Sequence, residues 1–142
     1  MIADDCTYLD MEVYGGQAKT PNLNRLAKEG LTFNRCFQTA PMCSPTRHNI
    51  YTGLYPVRSG AWPNHTQVYP GTKSIVHYLG DSGYRVALSG KGHISPRESF
   101  PFEYSNDFSK NEPETRPFFP NLKKFIAQCR SEEHTSELQS PV

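Results

Sequence analysis

The sequence is short of apolar residues. Only 36% of its 142 residues are hydrophobic, and mean hydropathy is −0.65, low for a chain that must close a large core. No apolar run is long enough to cross a bilayer as a helix, so no membrane span is expected. Neither sign of charge is in excess: 15 Lys and Arg against 14 Asp and Glu leave a formal net charge of +1. Composition therefore gives no reason to expect nucleic acid or an anionic membrane as a partner. The cysteines Cys6, Cys36, Cys43 and Cys129 lack the spacing of zinc ligands, and a disulfide among Cys6, Cys36 and Cys129 has no assignable pairing. Met1 runs directly into Ile-Ala-Asp-Asp, without the basic and apolar stretches of a signal peptide. The length suits one ordinary domain, and 12 prolines and 10 glycines mark it as rich in loops.

What is present is concentrated in one pentapeptide, Cys43-Ser44-Pro45-Thr46-Arg47. Ser44-Pro45 reads as a helix start, because proline is preorganised for the first turn and has no N–H to lose there. Gly53 is a natural stop about two turns later. Cys43 is thereby expected at the mouth of a short helix, where unpaired N–H groups and the helix dipole favour anions. A cysteine in that setting suits chemistry better than core packing. Arg47, one turn in, could reach an anion held at the same end.

Along the chain, Met1-Ile2-Ala3 reads as the tail of a buried strand running into Asp4 and Asp5. Adjacent acids repel, so the pair calls for a cation or for solvent. Thr20 to Gly30 is a capped helix with Pro21 at its first position and Leu23, Leu26 and Ala27 on one face. Leu31 to Phe37 alternates as a half-buried strand would. Pro56 to Thr72 reads as an ordered loop containing Asn64-His65-Thr66, formally a glycosylation sequon. Thr72 to Gly80 is a second capped helix with Ile75, Val76 and Leu79 inward. Tyr84 to Ser89 is a strand ending in Gly90-Lys91-Gly92-His93. Asn121 to Gln128 begins an amphipathic helix. The order helix, strand, helix, helix, strand predicts an α/β layer fold with a parallel sheet, whose active residues gather at the carboxyl ends of strands. Asp4, Asp5, Lys91 and His93 all occupy such positions.

Cys-x-Pro-x-Arg followed by Thr52-Gly53 resembles the signature of the type I sulfatases, which belong to the alkaline-phosphatase-like superfamily. The resemblance extends to Asp4-Asp5 with Tyr14-Gly15 beyond it, to the Thr20-Pro-Asn-Leu-Asn-Arg-Leu-Ala27 segment, and to Gly-Lys-x-His after a strand. It runs from Met1 to about Gln128. Gly60 to Thr66 and His93 to Tyr104 are most similar to the heparan N-sulfatase (sulfamidase) subgroup and its bacterial relatives. The family's first strand is longer than the one seen here, so Met1 reads as an internal residue of a longer protein. The last stretch, Arg130 to Ser140, is similar to a translated sequencing adapter. Residues 130–142 are accordingly set apart from a catalytic-domain fragment comprising residues 1–129.

The resemblance implies a partial alkaline-phosphatase-like fold, a mostly parallel sheet with flanking helices. It implies that a maturation enzyme oxidises Cys43 to formylglycine. It implies a divalent metal, usually calcium, held by Asp4, Asp5 and the modified Cys43. Arg47 and Lys91 would neutralise oxygens of the nucleophile and of sulfate, and His93 would hold a hydroxyl or help expel sulfate. The expected substrate is a sulfated carbohydrate, and the expected location of the parent is periplasmic, secreted or lysosomal. The family's further metal ligands, a second histidine and another cation come from downstream and have no counterpart here. The parent is expected to be a hydrolase and this fragment inactive. Two alternatives stay open: a phosphonate or phosphate monoesterase of the same superfamily, and a binding protein in which Cys43 remains a thiol.

Overall fold

Glycine and proline punctuate the chain, and its helices fall between them. The computed structural model describes residues 2–104 and 122–129, in two units, Met1–Gln38 and Thr39–Val142.

In the first unit, helix α1 spans Pro21–Glu29. Pro21 takes the first position, and the Gly30 N–H closes the last turn on the Leu26 carbonyl at 2.9 Å. Thr20 does not cap with its own hydroxyl. Its N–H is held by the Glu12 carboxylate at 3.2 Å, which also accepts from the Asn24 amide at 2.7 Å. Glu12 belongs to the second of two 3-10 turns, Tyr8–Asp10 and Glu12–Tyr14. The Tyr8 and Tyr14 rings stack across these turns at 4.3 Å, and the Tyr14 hydroxyl donates to the Phe33 carbonyl at 3.0 Å.

Two expected strands are absent from this unit. Residues 2–5 and 31–37 are irregular or bent and pair with no strand among the described residues. Ile2, Leu31, Phe33 and Phe37 are exposed. Alternation marks a chain able to present two faces, but a strand exists only where a partner supplies the ladder of hydrogen bonds. Leu26 departs from expectation too: it is 64% exposed, whereas Leu23 and Ala27 are half-buried.

The second unit carries helix α2 (Cys43–Thr52), helix α3 (Pro56–Ser59), helix α4 (Ile75–Asp81), strand β1 (Ala87–Leu88) and strand β2 (Glu103–Tyr104). Helix α5 follows at residues 122–129. Helix α2 begins and ends where the sequence predicts, and Gly53 stops it in the left-handed region at φ 69°. Helix α3, one turn inside the expected loop, is made by the same devices: Pro56 opens it and Gly60 closes it at φ 88°. Helix α4 starts later than expected. Ser74, not Thr72, precedes it, and the Ser74 N–H is satisfied by His77 Nδ1 at 3.1 Å. The inward face is therefore Val76 and Leu79, with Ile75 42% exposed.

The expected strand over Tyr84 to Ser89 contracts to Ala87–Leu88. It pairs in parallel with β2, Ala87 opposite Glu103 and Leu88 opposite Tyr104. Parallel pairing is as expected, but these two strands are the only sheet among the described residues. The core is Ala61, Val68, Val76, Phe100 and Phe102, packed against Tyr51, Val86, Leu88 and Ile94. At its edge Arg85 grips Glu103 through two bonds of 2.9 and 2.6 Å and lies 4.9 Å over the Phe125 ring of α5. The adapter-like stretch and Asn121 lie outside the described residues.

Candidate active site

Cys43 is the first residue of α2, and Arg47 follows one turn later on the same face. Pro45 stands third in the helix, where its missing N–H would have had no intrahelical partner. The helix is fastened at both ends. The Thr46 hydroxyl donates to the Ala40 carbonyl at 2.7 Å, and the Asn49 amide donates to the Leu54 carbonyl at 3.0 Å. Ser44 to His48 are all buried, whereas Cys43 is half-exposed. Cys43 is thus the partly exposed residue of a first turn that is otherwise buried.

Arg47, only 5% exposed, donates from Nη1 to the Lys91 carbonyl at 2.7 Å. It also lies beside Tyr51, whose phenol is pushed up by burial, with Arg47 opposing that shift. His48 makes the second bridge to the same loop. It is wholly buried, its Nδ1 lies 2.8 Å from the Ser44 carbonyl, and its Nε2 accepts the Ser95 N–H at 3.0 Å. Burial holds the His48 imidazole below its ordinary pKa, against opposing hydrogen bonds from Ser44 and Ser95. Two consecutive side chains of α2 therefore pin the Lys91 to Ser95 segment beside the helix start.

A second route joins Cys43 to His93. The Cys43 thiol lies 3.8 Å from Asn64 Oδ1, the Asn64 Nδ2 is 3.2 Å from His65 Nε2, and His65 Nδ1 is 2.9 Å from His93 Nε2. The two imidazole rings are 4.7 Å apart, tilted by 44°. Both histidines have left-handed backbones, φ 61° at His65 and φ 52° at His93. Such a conformation costs on the order of 1–3 kcal/mol and persists where the surroundings hold it. The surroundings here are explicit: Val68 N–H bonds the Ser95 carbonyl at 3.1 Å, and Tyr69 N–H bonds the Ser59 carbonyl at 2.8 Å.

The structure thus links Cys43, Arg47, Lys91 and His93 within one unit. Asp4 and Asp5 belong to the other unit, where both are exposed and Asp5 is left-handed at φ 50°. Their carboxylates are hard oxygen donors of the kind calcium takes. No group of three or more His, Cys, Asp or Glu suited to a metal occurs among the described residues. Sequence reasoning gave His48 no role and read Asn64 and His65 only as part of a sequon and of the subgroup resemblance. For Asn64 and His65 the available signal was chemical: two adjacent residues of types that tolerate the left-handed region, within a stretch otherwise rich in proline, glycine and aromatics.

Comparison with known proteins places this chain in a family. The sulfatase profile matches residues 1–133. An ulvan-active sulfatase of Formosa agariphila is 34% identical over 103 residues, covering 72% of this chain and 21% of that protein. Human N-acetylgalactosamine-6-sulfatase is 33% identical over 114 residues, 70% of this chain and 22% of the relative. An N-acetylglucosamine-6-O-sulfatase of Bacteroides thetaiotaomicron is 33% identical over 95 residues, 66% of this chain and 17% of the relative. The chain spans about a fifth of the length of these relatives. With the profile covering nearly all of it, the chain belongs to the sulfatase family.

Proposed function

We propose that the protein carrying this chain hydrolyses sulfuric esters or sulfamates of carbohydrates, with residue 43 as the nucleophile position. The observation that supports the reading is a partly exposed Cys43 as the first residue of α2, with Arg47 one turn on bonded to the Lys91 carbonyl. The sulfated sugars in the names of the relatives favour a glycan substrate.

When present, formylglycine at position 43 supplies a hydrated aldehyde as nucleophile, and a divalent cation such as calcium polarises the sulfuryl oxygens. The rest is the work of this chain's own residues. The first turn of α2 offers N–H groups and the positive end of its dipole to an anion. Arg47 and Lys91 bring positive charge to sulfate. His93 contributes a ring nitrogen where a proton must be held. Asp4 and Asp5 would hold the cation, with further ligands needed to reach the about six to eight oxygens that calcium takes.

The resemblance of Gly60 to Thr66 and His93 to Tyr104 favours a terminal N-sulfoglucosamine. The test is an assay of the complete protein on N-sulfated and O-sulfated glucosamine, together with hydrazide capture of an aldehyde at position 43. Hydrolysis of either sugar with an aldehyde present supports the sulfatase reading. Activity on the O-sulfate alone removes the N-sulfatase subgroup. A pure thiol at position 43 in an active enzyme, or turnover of phosphate monoesters only, overturns the mechanism.

A further inference from the structure

The route from Cys43 to His93 has a direction. A primary amide presents one acceptor oxygen and one donor nitrogen. Asn64 turns its oxygen toward the Cys43 thiol and its nitrogen toward His65 Nε2. An amide N–H can only donate, so His65 Nε2 must be the bare, accepting nitrogen. A neutral His65 then carries its proton on Nδ1, and that N–H points at His93 Nε2, 2.9 Å away. His93 Nε2 must accept in turn, which leaves the proton of a neutral His93 on Nδ1. Every member donates to the next: thiol to amide oxygen, amide nitrogen to His65, His65 to His93. Rotating the Asn64 amide by half a turn reverses each bond and moves the proton on both rings, so one side chain decides two tautomers.

We propose that Asn64 and His65 are positioning residues forming a one-way hydrogen-bond relay that sets the ring orientation and tautomer of His93 from the side chain at position 43. The left-handed backbones of His65 and His93 fit this role, because they present the two rings to each other from separate loops. The Ser95 and Ser59 bonds that anchor the 60–69 segment hold the relay in place. A hydroxyl at position 43 could donate to the Asn64 oxygen as the thiol does, so the direction survives that change. The use of the relay in catalysis rests on the sulfatase reading. There it fixes which ring nitrogen of His93 holds the proton. The relay itself does not depend on that reading.

The test needs no substrate. Histidine-labelled 142-residue chain is studied by long-range proton–nitrogen NMR, at a pH where both rings are seen to be neutral. The expected result is the Nδ1–H form for His65 and for His93, the opposite of the form that free imidazole side chains favour in water. Asn64→Asp replaces the amide with a group that only accepts, and should invert both rings to Nε2–H. In Asn64→Asp/His65→Phe, His93 should match the His65→Phe single variant, because the connection is cut. Should the aspartate variant fail to fold, Asn64→Leu should leave the His65–His93 pair without a single tautomer. An Nε2–H form of His93 in the unaltered chain, or a His93 tautomer unmoved by residue 64 while both rings are neutral, overturns the proposal. Neither result bears on whether the complete protein is a sulfatase, which the substrate assay decides separately.

Discussion

His48 shows how much one residue can carry without touching a substrate. Its ring is completely buried, donates to the Ser44 carbonyl and accepts the Ser95 N–H, so it spans the start of α2 and the segment after His93. Removing it takes the partner from the Ser95 N–H and leaves a void. His48→Ala should cost about 2–4 kcal/mol, measured by urea denaturation. Burial lowers the His48 pKa below that of an ordinary imidazole, about 6.5; the unfolded chain therefore binds this proton more readily than the folded one. Its contribution to stability should be fully present above about pH 6.5 and decline as pH falls from there toward the lowered folded value. His48→Ala should flatten that part of the pH profile, and an unchanged slope would remove His48 as its source. Cys43, Arg47, Lys91 and His93 stood out in the sequence through the motifs that resemble the family, and their roles are those proposed above. His48, Asn64 and His65 did not, because their partners lie 47, 21 and 28 positions away.

At the scale of elements, the helices closed by Gly30 and Gly53 were the most legible, whereas α3, closed by Gly60, read as loop. Gly53 and Gly60 both occupy the left-handed region, where any side chain is strained. At Gly60 a second demand is added: a Cβ built there would come within 2.9 Å of the Tyr69 ring. That ring lies on the segment whose N–H bonds Ser59 and which leads back to Asn64 and His65. Gly60→Ala should therefore cost about 1–3 kcal/mol and shift the His65 and His93 resonances together. A gain in stability, or a change confined to residues 56–60, would show that the turn does not govern the loop. Strands were the least legible elements. The alternation in Leu31 to Phe37 is real, yet its apolar side chains are exposed. Pairing is a property of two segments, and no local pattern reports whether the second is at hand.

For the whole molecule, the family was legible from a handful of residues, while the sheet was reduced to a pair of two-residue strands. The low apolar content has a visible counterpart in a core of five buried hydrophobic residues among those described. Phe100 is its largest member, with no exposed surface, and its ring meets both His48 and Tyr51. Phe100→Ala should cost about 3–5 kcal/mol, a large part of the roughly 5–15 kcal/mol that holds an ordinary domain together. Loss of cooperative melting in this variant is the expected result, and a shift of only a few degrees would mean that stability resides elsewhere. The bonds that close the core also impose a timetable. Ser44 to Arg47 become enclosed only after Lys91 and Ser95 have arrived to meet Arg47 and His48. A ribosome adding about 5–20 residues per second needs roughly 3–10 s to travel from Cys43 to Ser95. For those seconds the pentapeptide can be read as an extended strip by any enzyme that must grip its proline and arginine. Once the later segment docks, the strip is folded inward and the opportunity has passed.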